Sequence, residues 1–198
     1  MSTFTERARR VQITAHAIDA LAELGYAGAS LGEIARRAGI SKGVISYHYA
    51  SKDELLEQLV ADVYTRAGEA IAARVALEST PAGKLRGYLE ANLAFIAAHP
   101  REIRAAAEVV VNLRRPGGEL RFGAGSDDPI VDHLAALLRS GQRAGEFRAF
   151  DPTSVALMLR AAVDAASVRL VADPEFPIDT YRRELIAIAQ RAVQKDPS

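Results

Sequence analysis

Among the side chains of this 198-residue chain that could do chemistry, the most informative are serines followed three residues later by glutamate. The absence of cysteine excludes disulfides, thiol catalysis and Cys-based metal sites. Four histidines, His16, His48, His99 and His133, show no metal-ligand spacing, and neither a nucleophile elbow nor H-E-x-x-H occurs. Asp132 next to His133 makes no dyad on a helix, because adjacent helical residues point in different directions. What remains is Ser30 with Glu33 and Ser51 with Glu54, two capping boxes in which each side chain satisfies an orphan backbone N–H at a helix start. Leu31, Ile34, Ala35 and Ala38 follow the first box on one helical face. Gly39 supplies the left-handed residue that ends this helix, and Ser41 can cap a second, Lys42 to Tyr49. Helix, glycine turn, helix is the helix-turn-helix plan, whose second helix enters the DNA major groove. The predicted chemistry is recognition of duplex DNA, not catalysis.

The same stretch resembles the TetR family of bacterial transcriptional regulators. The matching residues are Leu31, Ile34, Ala35, Ala38, Gly39, Ser41, Gly43, Tyr47, His48, Tyr49, Ser51, Lys52, Leu55 and Leu56. The family's Y-Y-H-F-x-S-K-x-x-L tract reads Ser46-Tyr47-His48-Tyr49-Ala50-Ser51-Lys52-Asp53-Glu54-Leu55 here, with Ser46 replacing an aromatic. The resemblance implies DNA contacts from Ser41, Lys42, Gly43, Val44, Ser46, Tyr47, His48 and Lys52. Gly43 would let the backbone approach, Val44 would meet a thymine methyl, and Lys42 would donate to guanine or phosphate. Tyr47 and Lys52 look like the family's phosphate clamps, with Lys52 in the first turn of the next helix beside its exposed N–H groups. Tyr47 and His48 also admit a second reading, as fillers of a small core; Ile40, Ile45 and Tyr49 are expected to pack inward.

Charge adds little. The net charge is zero, with residues 1–50 at plus two and the remainder at minus two, so the motif carries the argument. No apolar run approaches the roughly 18–20 residues of a membrane span, and the start MSTFTERARR does not lead into a signal-peptide core. A cytoplasmic protein without a membrane partner is expected.

Further helices must position this motif. Thr3 and Glu6 form another capping box, opening a helix through about Leu24 with Val11, Ala17, Ile18, Leu21 and Leu24 as its apolar stripe and Gly25 as its stop. Arg7, Arg9 and Arg10 near its start are either phosphate contacts or solvated surface. From Ser51 a long helix runs past Ala70, with Leu55, Leu59, Val63 and Ala67 inward. Thr80-Pro81, Asp128-Pro129 and Asp151-Pro152 each place a capping residue before proline at the first helical position. His99-Pro100 ends one helix and starts the next. The helices expected are about 81–99, 101–115, 129–144, 152–172 and 179–194. The stretch from Arg114 to Pro129 is read as a flexible connector, since its Gly123-Ala124-Gly125 follows no strand and completes no G-x-G-x-x-G. The fold class is all-α, about nine helices: a helix-turn-helix domain over 1–50 and a second helical domain over 51–198.

Family resemblance makes the second domain a ligand-binding and dimerisation domain. Tyr88, Asn92, Phe95, Ile96 and His99 share a broad face that would suit a small-molecule pocket, or an ordinary helix core. Val155, Met158, Leu159, Ala162, Ala166 and Leu170, then Tyr181, Leu185, Ile188, Ala189 and Ala192, resemble the helices of a homodimer interface. The function implied is a ligand-responsive repressor that binds a palindromic operator as a homodimer and is released by a small-molecule effector. No cofactor, metal or catalysis is expected. Repression or activation depends on where the operator lies, which a protein sequence does not contain.

Overall fold

The computed structural model describes residues 4–122 and 129–195. Helices account for its regular structure: α1 Phe4–Gly28, α2 Leu31–Ala38, α3 Lys42–His48, α4 Lys52–Ala76, α5 Pro81–Ala98, α6 Pro100–Asn112, α7 Pro129–Arg143, α8 Pro152–Ala172 and α9 Ile178–Val193. Only two isolated antiparallel bridges, Arg114 with Leu120 and Phe147 with Gln194, interrupt the all-α pattern among the described residues. No described helix is long and apolar enough to cross a membrane. Contacts gather the chain into two units, Met1–Thr65 with Arg101–Gly123 and Arg66–Pro100 with Ala124–Ser198.

In the first unit, α1 breaks where glycine permits it. Gly25 sits at φ 69, ψ −179, a backbone conformation open essentially to glycine alone, and one further turn ends at Gly28. The buried side of α1 is Ile13, Thr14, Ala17, Ala20 and Leu21. Val11 and Leu24, expected in the stripe, are 66% and 49% exposed. Val11 lies two residues before Ile13, about 200° away around the helix. Leu24 is the last residue before the break. Thr3 and its box with Glu6 lie outside the described residues. Helices α2 and α3 pack on α1, burying Ile34, Ala35 and Ala38 of α2 and Ile45 of α3, and the first half of α4 buries Leu55, Leu56, Leu59, Val60 and Val63 in the same unit. Helix α6 joins this unit with Ala105, Ala106 and Val109 buried.

Two expectations about the connector meet different outcomes. Residues 113–122 form a small hairpin instead of a flexible link: the Arg115 N–H donates to the Glu119 carbonyl and Gly118 to that of Arg115, each at 2.8 Å, with Gly118 at φ 88. Arg121 then clasps Glu57 of α4 through two hydrogen bonds, 2.7 and 3.1 Å. This fold-back explains why α6 stops at Asn112, short of 115. Gly123, Ala124, Gly125 and the Asp128 cap lie outside the described residues.

The second unit is organised around α5, which packs on α7, α8 and α9. Its start follows the expected chemistry: the Thr80 hydroxyl accepts from the Gly83 N–H at 3.0 Å, with Pro81 in the first turn. Asp151 and Pro152 repeat the arrangement at α8, with Ser154 N–H at 2.8 Å from the carboxylate. Gly141 on α7 faces the Phe147 ring so closely that a Cβ there would overlap it.

Candidate functional site

The reading head is built by short-range chemistry. Ser30 accepts the Glu33 N–H at 3.1 Å and starts α2. The box is half of what the spacing suggests, because the Glu33 carboxylate turns instead to Arg36 and Arg37, each at 2.7 Å. Those guanidiniums draw its pKa down to about 2. Gly39, at φ 64 and ψ 32, ends α2 in the left-handed conformation. Ser41 occupies the cap position of α3, but its hydroxyl caps nothing; the first turn closes by Val44 N–H to the Ser41 carbonyl at 3.0 Å. At α4 the second box is complete in substance. The Ser51 hydroxyl accepts from Glu54 N–H at 3.1 Å, and Glu54 reaches back to the Ala50 N–H at 2.7 Å.

Helix α3 is held from beneath. Ile45 is fully buried, and Tyr49 is 2% exposed with its hydroxyl 3.3 Å from that of Thr14 and the Arg10 guanidinium 4.6 Å over its ring. Ile40, expected inward, is half-buried. The opposite side presents Ser41, Lys42, Gly43 and Ser46 to solvent, with Val44 and His48 half-buried at its edge. Tyr47 is 75% exposed and meets the His48 ring edge-on at 5.0 Å. A large aromatic held outward on the helix that ends beside α4 is not a core filler.

Lys52 folds back onto α1. Its ammonium donates to the Tyr26 carbonyl at 2.7 Å and lies 4.4 Å over the Tyr26 ring, and burial lowers its pKa. An ammonium has three donors, so this contact leaves protons for a phosphate. Tyr26 is fixed in turn by its N–H, which donates to Glu108 of α6 at 3.1 Å. A second polar line crosses the same unit. Arg101 on α6 reaches Asp19 at 2.9 Å and Glu23 at 2.7 Å, and Glu23 holds Arg37 at 2.7 Å. Sequence inspection missed these links, because partners 82 and 78 residues apart leave no local signal.

In the second unit the five proposed pocket residues separate. Tyr88, Asn92 and Ile96 are buried in the helix packing. Asn92 donates to the Tyr88 carbonyl at 2.8 Å, whereas the buried Tyr88 hydroxyl has no hydrogen-bond partner in the described structure. Burial raises its pKa, and the nearby Arg160 partly opposes this. Phe95 and His99 instead line an open groove of about 650 Å³ with Ala70 and Arg74 of α4, Glu90, Ala91, Ala94 and Ala98 of α5, and Arg182, Arg183 and Ile186 of α9. The signal for it was present in the alanines at 91, 94 and 98, which share one helical face. Elsewhere Leu159, Ala166, Leu185 and Ala189 pack inward, while Leu157, Met158, Val168 and Ile188 are between 53% and 68% exposed.

Comparison with known proteins agrees with this layout. Residues 13–59 match the model of bacterial regulatory proteins of the tetR family, and residues 81–195 match that of the BetI-type transcriptional repressor C-terminal domain. The HTH-type transcriptional regulator BetI of Paraburkholderia phytofirmans is 38% identical over 87 residues, 43% of each chain. That of Pectobacterium carotovorum is 35% identical over 86 residues, 42% of this chain and 44% of the relative. The matched stretch thus spans less than half the length of these curated relatives. A TetR-like transcriptional regulator from Rhodococcus sp. RHA1 superposes with a TM-score of 0.73 at 27% identity, covering 92% of this chain and 94% of the other. A putative tetR family transcription regulator from Shewanella sp. PV-4 shares the fold at 24% identity and a TM-score of 0.71, over 95% and 99% of the two chains. An outward-facing α3 within residues 13–59, followed by helices that match one family model over more than half the chain, makes this protein a member of the TetR family of DNA-binding transcriptional regulators, with a BetI-type C-terminal part.

Proposed function

We propose that the chain is a repressor that grips a palindromic operator as a homodimer and lets go when a small molecule binds its second unit. The observation that carries the DNA reading is the outward face of α3, where Ser41, Lys42, Gly43, Ser46 and the 75%-exposed Tyr47 are offered to solvent while Ile45 and Tyr49 anchor the helix. Lysine and serine reach base edges or phosphates, and glycine allows the backbone to approach. Val44 and His48 border this face, and Lys52 stands in the first turn of α4, where helix N–H groups favour an anion. DNA reading is confined to about the first 50 residues and the start of α4; the remaining helices serve the effector and the partner subunit.

Pairing is supported by the exposed Leu157, Met158 and Val168 of α8 and Ile188 of α9. Large apolar side chains grouped on two helices favour a covered face over open water. A seven-residue reading helix contacts few bases, so two copies related by a twofold axis multiply both affinity and specificity. Release then requires an effector that prefers the non-binding geometry, since a ligand indifferent to the two states shifts neither. Selection of bound duplexes from a random pool tests this reading. A palindrome with half-sites about 34–36 Å apart, or a multiple, is expected. Recovery of unrelated duplexes, together with a monomer in sedimentation, would overturn it.

A further inference from the structure

We infer that the groove between α4, α5 and α9 is the effector's seat, and that its ligand is an anionic amphiphile with a carboxylate head and an apolar body. This rests on the reading of the chain as an effector-released regulator. Two independent features of the groove converge. First, its rim carries three guanidiniums, Arg74, Arg182 and Arg183, and they are not equally engaged. Arg74 is engaged by Glu78 at 2.7 Å and Glu90 at 2.8 Å, and Arg182 by Asp179 at 2.8 Å. Arg183 is held by one hydrogen bond to the Thr180 hydroxyl at 3.0 Å. A guanidinium carries five N–H donors in a planar fork, so Arg183 keeps most of its capacity for a carboxylate.

Second, the floor is apolar. Ala91, Ala94 and Ala98 form one face of α5 opposite Ile186, and His99 lies flat on Phe95, ring centroids 4.2 Å apart at 24°. The Phe95 carbonyl can only accept, so His99 Nδ1 at 2.9 Å is the donor and the ring is pinned in place. From Glu90 to His99 this wall runs about 14 Å at the helical rise, long enough for a medium-length chain. The volume lies within the roughly 300–1,000 Å³ range of small-molecule sites. A cation would meet guanidiniums it cannot satisfy, and a neutral molecule would forfeit the charge-assisted pair. An incoming head group would also compete with Glu90 for Arg74, and so act on the last turns of α4.

The test uses the full chain and three probes with one tail: decanoate, decanol and decyltrimethylammonium, each below its micellar concentration and titrated calorimetrically without DNA. Decanoate is expected to bind at least about tenfold more tightly than either other probe. Arg183→Gln should weaken decanoate binding by about tenfold and leave decanol unaffected, because it removes charge and not shape. Ala94→Trp, on the exposed floor, should abolish binding of decanoate by filling the groove. The unfolding midpoint of each variant without probe reports an intact fold. Should one variant fail to fold, the other carries the test. Equal binding of the three probes, or decanoate binding indifferent to both substitutions, overturns the assignment. If decanoate binds as expected yet leaves operator affinity unchanged, the anionic site stands and its role as the effector's seat falls.

Discussion

The two units solve the problem of holding helices together in different ways. In the first, directional polar contacts between elements distant in sequence tie α1, α2, α4 and α6: Arg101 to Asp19 and Glu23, Glu23 to Arg37, Glu108 to the Tyr26 N–H, Lys52 to the Tyr26 carbonyl, and Arg121 to Glu57. In the second, α5, α7, α8 and α9 meet largely through leucine, alanine and valine, and ion pairs such as Arg160 with Asp164 and Arg182 with Asp179 stay within one helix. Hydrogen bonds fix angle and register, whereas apolar packing rewards area and tolerates repacking. A unit that must present side chains to base edges benefits from the first. The unit proposed to take a ligand and a partner would benefit from the second.

Four experiments would break or sharpen this contrast, taken from the largest expected effect to the smallest. Gly141→Ala places a methyl group into the Phe147 ring and should destabilise the second unit by about 1–3 kcal/mol. A lowered thermal midpoint in calorimetry would register it, and an unchanged midpoint would mean that the Phe147 ring moves aside at little cost. Substituting Val44 or Ser46 should alter operator preference by about 1–3 kcal/mol at one base pair, read by competition between specific and random duplexes. Equal losses on both would remove these residues from base recognition. Lys52→Ala should lower affinity on all duplexes and reduce the salt slope by about 0.9, the share of one phosphate contact. If affinity falls while the slope stays, the ammonium serves Tyr26 alone.

The smallest effect concerns acid. Glu33 is held at about 2 in the folded chain, below its ordinary 4.5, by Arg36 and Arg37. A lowered carboxylate pKa contributes stability that is present above 4.5 and lost as pH falls toward 2. Glu33→Gln should therefore flatten the pH dependence of the unfolding midpoint between those values and change little near neutrality beyond loss of an exposed pair. A variant that titrates like the parent across this window would show that the α2 arginines do not hold Glu33 in solution.

Local chemistry was legible along the chain, and distant chemistry was not. Ser30, Gly39, Ser51, Thr80-Pro81 and Asp151-Pro152 marked helix boundaries because capping is settled within four residues. Periodicity misjudged Val11 and Leu24, since a stripe on a helix defines a face only once its neighbours are placed. The hairpin at 113–122 was concealed by its glycine and proline content, which suits a tight turn as well as a loose link. Of the side chains lining the candidate groove, Phe95 and His99 were among the pocket candidates read from the sequence, while the arginines of α9 were not, because nothing local joins Arg183 to His99.

By itself, then, the amino-acid order determined the helices and most of their starts, because caps, glycine turns and apolar spacing act over a few residues. Only the tertiary structure decided that α6 stands with the DNA-reading helices, that Lys52 leans on Tyr26, and that three arginines rim one apolar wall. Those outcomes depend on which distant surfaces meet, and contacts between residues dozens apart are chosen by packing and charge across the folded chain.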